Sequence, residues 1–355
     1  MQPVSAEQVK PAPEQIRRER ADNPKMRERD LAAKLGISEA ELVAAHCGES
    51  ALRIEPRVND LLAGLEAVGE VMALTRNDSA VHEKIGVYDK VVTGEHSAMV
   101  LGADIDLRIF PKVWAHGFAV EKRDGEDIRR SLQFFDATGE AVHKVHLRAG
   151  SNLYAYQKLV ASLEAADQSP VVAVRADLRA VETDDESVSP EMLRERWTKL
   201  TDTHQFFGML RTLKISRRRA MHLAGPEFAW QLDSTAVSGL MNGAAESGQP
   251  IMCFVGSRGC IQIHSGPIRS VAPMGPWINV FDETFHLHLR LDHIHETWAV
   301  RKPTKDGHVT SVEAYDAAGQ LVIQFFGKRH EGEGERGDWR SLAERLPRIP
   351  CSTAA

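Results

Sequence analysis

Among 355 residues there are only four cysteines and four tyrosines. Cys47, Cys253, Cys260 and Cys351 form no C-x-x-C pair and no zinc-ligand spacing, so they read as reduced thiols rather than a disulfide or metal framework. No apolar run approaches the roughly 20 residues of a membrane-spanning helix, which predicts no membrane insertion. The first thirty residues are rich in Gln, Glu and Arg and hold no apolar stretch, which predicts no secretory leader and a cytoplasmic location. Basic residues are outnumbered, 44 against 50, and the net charge of −6 gives the whole molecule no attraction for nucleic acid or an anionic membrane. Nucleotide-triphosphate and hydrolase fingerprints are also missing: no G-x-x-x-x-G-K-[ST], H-E-x-x-H or G-x-S-x-G occurs.

What is present is an ordinary globular balance, 43% hydrophobic and 26% charged, with a mean hydropathy of −0.31. The length suggests about two domains. Fifteen histidines are the one unusual component.

The chain contains a duplication. Ala119-Val120 falls on Ala299-Val300, 180 positions later, and the same offset places Lys122 on Lys302, Ser131 on Ser311, Asp136-Ala137 on Asp316-Ala317, Gly139 on Gly319 and Val142 on Val322. Met72 on Met252 and Gly86 on Gly266 continue the register, and Leu35–Ser38 matches Leu213–Ser216 at an offset of 178. Such a period is too long for a solenoid repeat and indicates tandem domains. The expected organisation is an N-terminal extension over 1–25, a first repeat over 26–170, a linker over 171–189 and a second repeat over 190–345.

Each repeat opens helical and continues as strands. Ser38 with Glu41 forms a capping-box pattern, Ser189-Pro190 starts a helix predicted to run to Leu210, and Ser216 starts a short basic helix ending near Gly225. Alternating stretches such as GFAVEKR, RRSLQFFDA, TWAVRKP and LVIQFFGKR, joined by Asp-Gly and Asp-Ala-x-Gly turns, predict antiparallel strands. The fold class is therefore α+β: a duplicated domain with a large antiparallel sheet plus helices.

Two histidine groupings call for a reading. His286, His288, His293 and His295 resemble a metal cluster at first sight, but alternating strand positions supply only two converging donors of the four zinc wants. They are expected as polar positions on a sheet face. His204 lies in the predicted apolar stripe Leu193, Trp197, Leu200, His204, Phe207. It is either a hydrogen-bonded core histidine or an axial donor to haem iron walled by aromatics, with Arg217, Lys302 and Arg329 as cations for the propionates. The basic run Arg217–Arg219 is read as an exposed helix face, with phosphate contact as the alternative.

Three separated stretches carry a resemblance: Asp202-Thr-His204-Gln-Phe-Phe-Gly, Asp106-Leu-Arg108-Ile-Phe110-Pro and Gln324-Phe-Phe326-Gly-Lys-Arg329. They resemble the HemS/ChuS/PhuS family of cytoplasmic haem-utilisation proteins over nearly the whole chain. The resemblance implies haem b as ligand or substrate, with His204 as iron ligand and Arg108 on the distal side beside Phe110. It implies Arg217, Lys302, Gln324 and Arg329 at the haem edge and Met252 and Phe254 as pocket wall, and it puts Phe326 at a haem-contacting position where the family has a tyrosine, so one hydrogen-bond donor is lost. It implies haem delivery, oxidative haem degradation with O2 and an external reductant, or both, and a haem importer and a haem oxygenase as partners. The alternative is a pure haem chaperone that binds DNA when haem-free.

Overall fold

Strand after strand recurs at the spacing the repeat demands. In the computed structural model, which describes residues 10–176, 184–329 and 332–349, the strands Val71–Arg76, His116–Asp124, Asp127–Phe135 and Ala141–Leu147 are each matched 180 positions later. Their counterparts are Ile251–Gly256, Glu296–Thr304, Gly307–Tyr315 and Leu321–Gly327. Even the irregularity is copied: the register shifts between Phe134 and Phe135 and again between Ala314 and Tyr315.

The chain divides into two units. The first comprises Met1–Thr75, Ile85–Leu178 and Ser257–Cys260; the second comprises Arg76–Lys84, Arg179–Gly256 and Ile261–Ala355. Each unit thus includes a short stretch from the other half of the sequence.

In the first unit an antiparallel sheet runs Ala51–Ile54, His116–Asp124, Asp127–Phe135, Ala141–Leu147, Val71–Arg76. A second group joins Val91–Val92, Ala98–Leu101 and Asp106–Ile109. The helices Val58–Val68 and Leu153–Leu163 bury Leu61, Leu62, Leu65, Leu159 and Leu163 in its core.

In the second unit the sheet runs Ala229–Leu232, Glu296–Thr304, Gly307–Tyr315, Leu321–Gly327, Ile251–Gly256 and on to Cys260–Gly266. Val271–Met274, Trp277–Phe281 and Phe285–Arg290 form the smaller group, joined by residues 80–84. Helices Ala236–Ser247 and Gly337–Arg345 close one core through Leu240, Met241 and Trp339. Two further helices, Pro190–Thr198 and Gln205–Leu213, pack Trp197, Phe206, Leu210 and Leu213 against Trp298, Val300 and Tyr315.

The local start signals act as read. Ser38 and Glu41 cap each other reciprocally at Glu39–Ala44, Ser189 accepts from the Met192 N–H, and Ser216 accepts from the Arg219 N–H at Arg217–Ala224. Part of the expected linker, 177–183, lies outside the described residues, as does Cys351. Its remainder is tied down: Asp184 accepts the Ser216 N–H at 2.6 Å, and the Asp185 N–H donates to the Lys214 carbonyl.

One expectation is corrected. The continuous helix from Pro190 to Leu210 is two helices, Pro190–Thr198 and Gln205–Leu213, with a turn between them. The side chains of Asp202 and Gln205 compete with the helical ladder. The Asp202 carboxylate takes the His204 N–H at 2.7 Å, and the Thr201 N–H donates to Gln205 Oε1 at 3.0 Å. The break shifts the apolar stripe, so Phe206 enters the core at 2% exposure while Phe207 is 70% exposed. His204 leaves the apolar face altogether.

Candidate functional site

His204 ends the turn, immediately before Gln205–Leu213, with its side chain 92% exposed. It is not a satisfied core histidine. Its Nδ1 lies 2.7 Å from Asp202 Oδ1, the oxygen that also accepts the His204 backbone N–H. Hydrogen bonds from that N–H and from the ring hold the Asp202 carboxyl below its ordinary range, with His204 and Arg329 adding favourable charge. An ionised carboxylate only accepts, so the proton of this hydrogen bond is on Nδ1 and Nε2 is the ring nitrogen that Asp202 leaves unengaged. The second unit therefore presents an oriented imidazole at its surface.

Behind this turn, one face of the sheet gathers most of the residues singled out in the second repeat. Met252 pairs with Phe326 and Phe254 with Gln324, and Phe326 and Gln324 pair in turn with Ser311 and Glu313. Phe254 and Phe326 meet edge to face at 5.1 Å, and both are partly buried, as are Met252 and Gln324. The Lys302 ammonium stands 4.9 Å from the Phe206 ring and 5.6 Å from that of Phe326, while the Arg217 guanidinium stands 5.3 Å from Phe206. Phe206 carries two cations. It also follows His204 by two residues.

The centre of this face is Glu313, which the sequence reading did not single out. Its carboxylate accepts both Arg217 Nε and Nη2 at 2.8 and 2.6 Å, Lys302 Nζ at 2.7 Å, and the hydroxyls of Ser311 and Tyr315 at 2.6 and 2.5 Å. Burial works against its charge, but Arg217 and Lys302 overcome it and hold Glu313 well below the usual carboxylate range. Burial lowers Lys302 to about 8, with Glu313 opposing. Burial, and Glu313 beside it, push the Tyr315 phenol well up. Lys302 is thus a buried member of an ion cluster and is only 3% exposed. The sequence signal for Glu313 is a carboxylate that shares one side of the strand T-S-V-E-A-Y with the hydroxyl residues Ser311 and Tyr315.

The first repeat holds no such arrangement. At the positions of Glu313, Phe326, Tyr315 and Arg217 it has Gln133, His146, Phe135 and Glu39, and Glu39 instead pairs with Lys144 at 3.0 Å. Met26 stands where His204 does. The site residues have diverged between copies although the scaffold has not.

Arg108 and Phe110 belong to the first unit. Arg108 donates to Asp106 and to the Leu107 carbonyl, and Phe110 is 39% exposed. Of the basic run, Arg217 is committed to Glu313, and Arg218 donates to Glu296, a carboxylate that also meets His222 and Trp298. Two of its three cations therefore serve internal carboxylates. In the other histidine grouping, His286 meets Glu83 at 3.2 Å and His288 meets Asn279 at 2.7 Å. No group of three or more His, Cys, Asp or Glu among the described residues is placed to hold a metal ion, and no described helix is long and apolar enough to cross a membrane.

The model of the haemin-degrading HemS/ChuX domain matches this chain twice, over residues 36–163 and 214–346. The chain belongs to the HemS/ChuX family. Within it, the hemin transport protein HemS of Yersinia enterocolitica is 40% identical over 94% of this chain and 96% of its own length. HmuS of Yersinia pestis, also described as a hemin transport protein, is 40% identical over 92% and 94%. Among solved structures, holo-PhuS, a heme-binding protein of Pseudomonas aeruginosa, superposes with a TM-score of 0.92 at 43% identity, covering 96% of this chain and all of PhuS. ChuS, described as an E. coli heme oxygenase, gives 0.83 at 35% identity over 92% and 98%. The tandem α+β fold is that of PhuS and ChuS.

Proposed function

We propose that this HemS/ChuX-family chain binds haem with His204 as the axial ligand to iron and serves haem-iron utilisation by haem delivery, oxidative haem degradation, or both. The observation that carries the reading is the surface imidazole whose Nδ1 is engaged by Asp202, leaving Nε2 as the donor nitrogen. Phe207, 70% exposed three residues on, and the partly buried Phe254 and Phe326 supply apolar surface for a flat macrocycle. Arg329, close enough to Asp202 to add to its field, is the candidate partner for a propionate. Arg217 and Lys302 act from beneath, through Glu313 and Phe206. Arg108 is proposed for the distal side.

Haem supplies the oxidative chemistry when O2 and a reductant are present; the protein supplies orientation and charge. The relatives' descriptions span transport, binding and oxygenase activity, and both delivery and degradation use the same imidazole. The decisive titration adds stoichiometric haemin to the wild type and to His204→Ala. A sharp, shifted Soret band in the wild type that is lost or broadened in the variant supports the reading. Identical spectra in the two proteins refute His204 as ligand. Adding a reductant under air with catalase present then separates the two roles: bleaching of the band marks degradation, and a stable band with transfer to a separate oxygenase marks delivery.

A further inference from the structure

The turn that presents His204 is built around a single oxygen atom. Asp202 Oδ1 accepts the backbone N–H of His204 and lies 2.7 Å from its ring Nδ1, so one carboxylate both closes the turn and orients the imidazole. The side chain of Asp202 is itself 54% exposed, and no core residue is needed to hold it there. In the first repeat the position of His204 is Met26 and that of Asp202 is Pro24, so the acid and the imidazole differ between copies together. There the chain closes its turn by another route: the Arg20 guanidinium donates to the Pro24 and Met26 carbonyls at 2.6 and 2.7 Å. A turn at this point of the fold therefore does not require a carboxylate.

We infer that Asp202 is a positioning residue for the haem ligand, selecting Nε2 as the iron-binding nitrogen and increasing the electron donation of the imidazole to the iron. This rests on the His204 reading above. The physical argument is direct. An imidazole whose Nδ1–H points at an anion is a stronger base at Nε2 than one whose Nδ1–H points at water, and its ring plane is set before the metal arrives. In the haem-free protein, water screens the pair. Once a porphyrin covers the imidazole, the same 2.7 Å hydrogen bond operates in a lower dielectric and strengthens. A more basic ligand favours ferric over ferrous iron, so the carboxylate lowers the reduction potential of the bound haem. Removing its charge raises that potential and loosens ferric haem. Outer-shell partners of this kind typically contribute a factor of about 10–100 in metal affinity.

The experiment compares wild type, Asp202→Asn, Asp202→Glu and His204→Ala by ferric haemin titration, spectroelectrochemical potential and the iron–histidine stretch of the ferrous complex. Thermal unfolding of each haem-free protein is recorded alongside. Asp202→Asn keeps an oxygen for the backbone N–H but removes the charge. It is expected to weaken ferric haemin binding by about 10–100-fold, raise the potential and lower the stretching frequency, with haem-free stability unchanged. Asp202→Glu is expected to restore part of each. If Asp202→Asn matches wild type in affinity and potential while His204→Ala loses the ligand spectrum, the inference is overturned and the ligand assignment stands. If affinity falls only in step with haem-free stability, the residue is merely structural and the inference is again overturned. A His204→Ala protein that keeps the wild-type spectrum overturns the ligand assignment itself and this inference with it.

Discussion

Lys302 Nζ and Glu313 Oε1 are 2.7 Å apart, and the two side chains are 3% and 0% exposed. The pair lies among Arg217, Ser311 and Tyr315 under the aromatic face next to His204, so removing different members should have unequal costs. Glu313→Ala strands two cations in the interior and is expected to cost roughly 3–5 kcal/mol. Lys302→Met is expected to cost clearly less, because Arg217 still neutralises the carboxylate and the apolar chain fills the space. Urea unfolding of the two variants checks this; equal losses would contradict it.

Acid sensitivity should reside partly in His143. Its Nε2 is 2.6 Å from the Tyr88 hydroxyl and its Nδ1 2.8 Å from Thr75 Oγ1, with Cys260 alongside, all buried in the first unit. Burial, and secondarily His146, lower its pKa from 6.5 to about 3. Between those values the unfolded chain binds the proton and the folded one does not. The stability His143 contributes is therefore complete above about 6.5 and is lost as pH falls toward 3, by roughly 4–5 kcal/mol at most. The second copy has Val255, Ile268, Ile323 and Ala80 at the four positions, all buried. A Thr75→Val, Tyr88→Ile, His143→Ile, Cys260→Ala variant should lose about one proton's worth of this pH slope. Chemical unfolding at a series of pH values measures it, and an unaltered slope would sink the assignment.

Adjacent phenylalanines should behave oppositely. Phe206, 2% exposed against Trp197 at 4.6 Å, is expected to cost about 3–5 kcal/mol on truncation to Ala. Phe207→Ala should leave stability within about 0.5 kcal/mol and weaken haemin binding. Thermal melts and haemin titrations of both variants test the contrast; a large stability loss for Phe207→Ala would refute it.

Gly259 should not tolerate the residue of its counterpart, Ser79. A Cβ there would meet Val142 Cγ1 at 2.8 Å and the Trp114 ring at 3.1 Å, where Trp114 Nε1 donates to the Gly259 carbonyl. Gly259→Ser is expected to destabilise by about 1–3 kcal/mol. A denaturation midpoint unchanged from wild type would show that the ring moves aside at no cost.

Much of the architecture was legible because its signals are local. The strand alternation, the Ser38, Ser189 and Ser216 caps, and the spacing of 180 between copies each depend on a few neighbouring residues, and the structure reproduces them. Residue type and surrounding motif identify His204, but the apolar periodicity places it on a buried face where the structure exposes it. The periodicity of Leu193, Trp197, Leu200 and His204 favours one helix, while Asp202 takes the His204 N–H and Gln205 takes the Thr201 N–H, which end it. That competition is written in the Asp-Thr-His-Gln stretch, and it outweighs the stripe because the rewards of burial go to Phe206 instead.

The amino-acid string alone settles that this chain is a doubled α+β unit whose second copy has His204 where the first has Met26. Repetition, alternation and capping are short-range properties, readable without coordinates. Tertiary structure alone decides that Glu313 gathers Arg217, Lys302 and Tyr315 into one buried cluster, and that each unit takes in a segment from the other half of the sequence. Those partners lie up to 96 residues apart, and buried charges are paired by proximity in space, which no local pattern encodes.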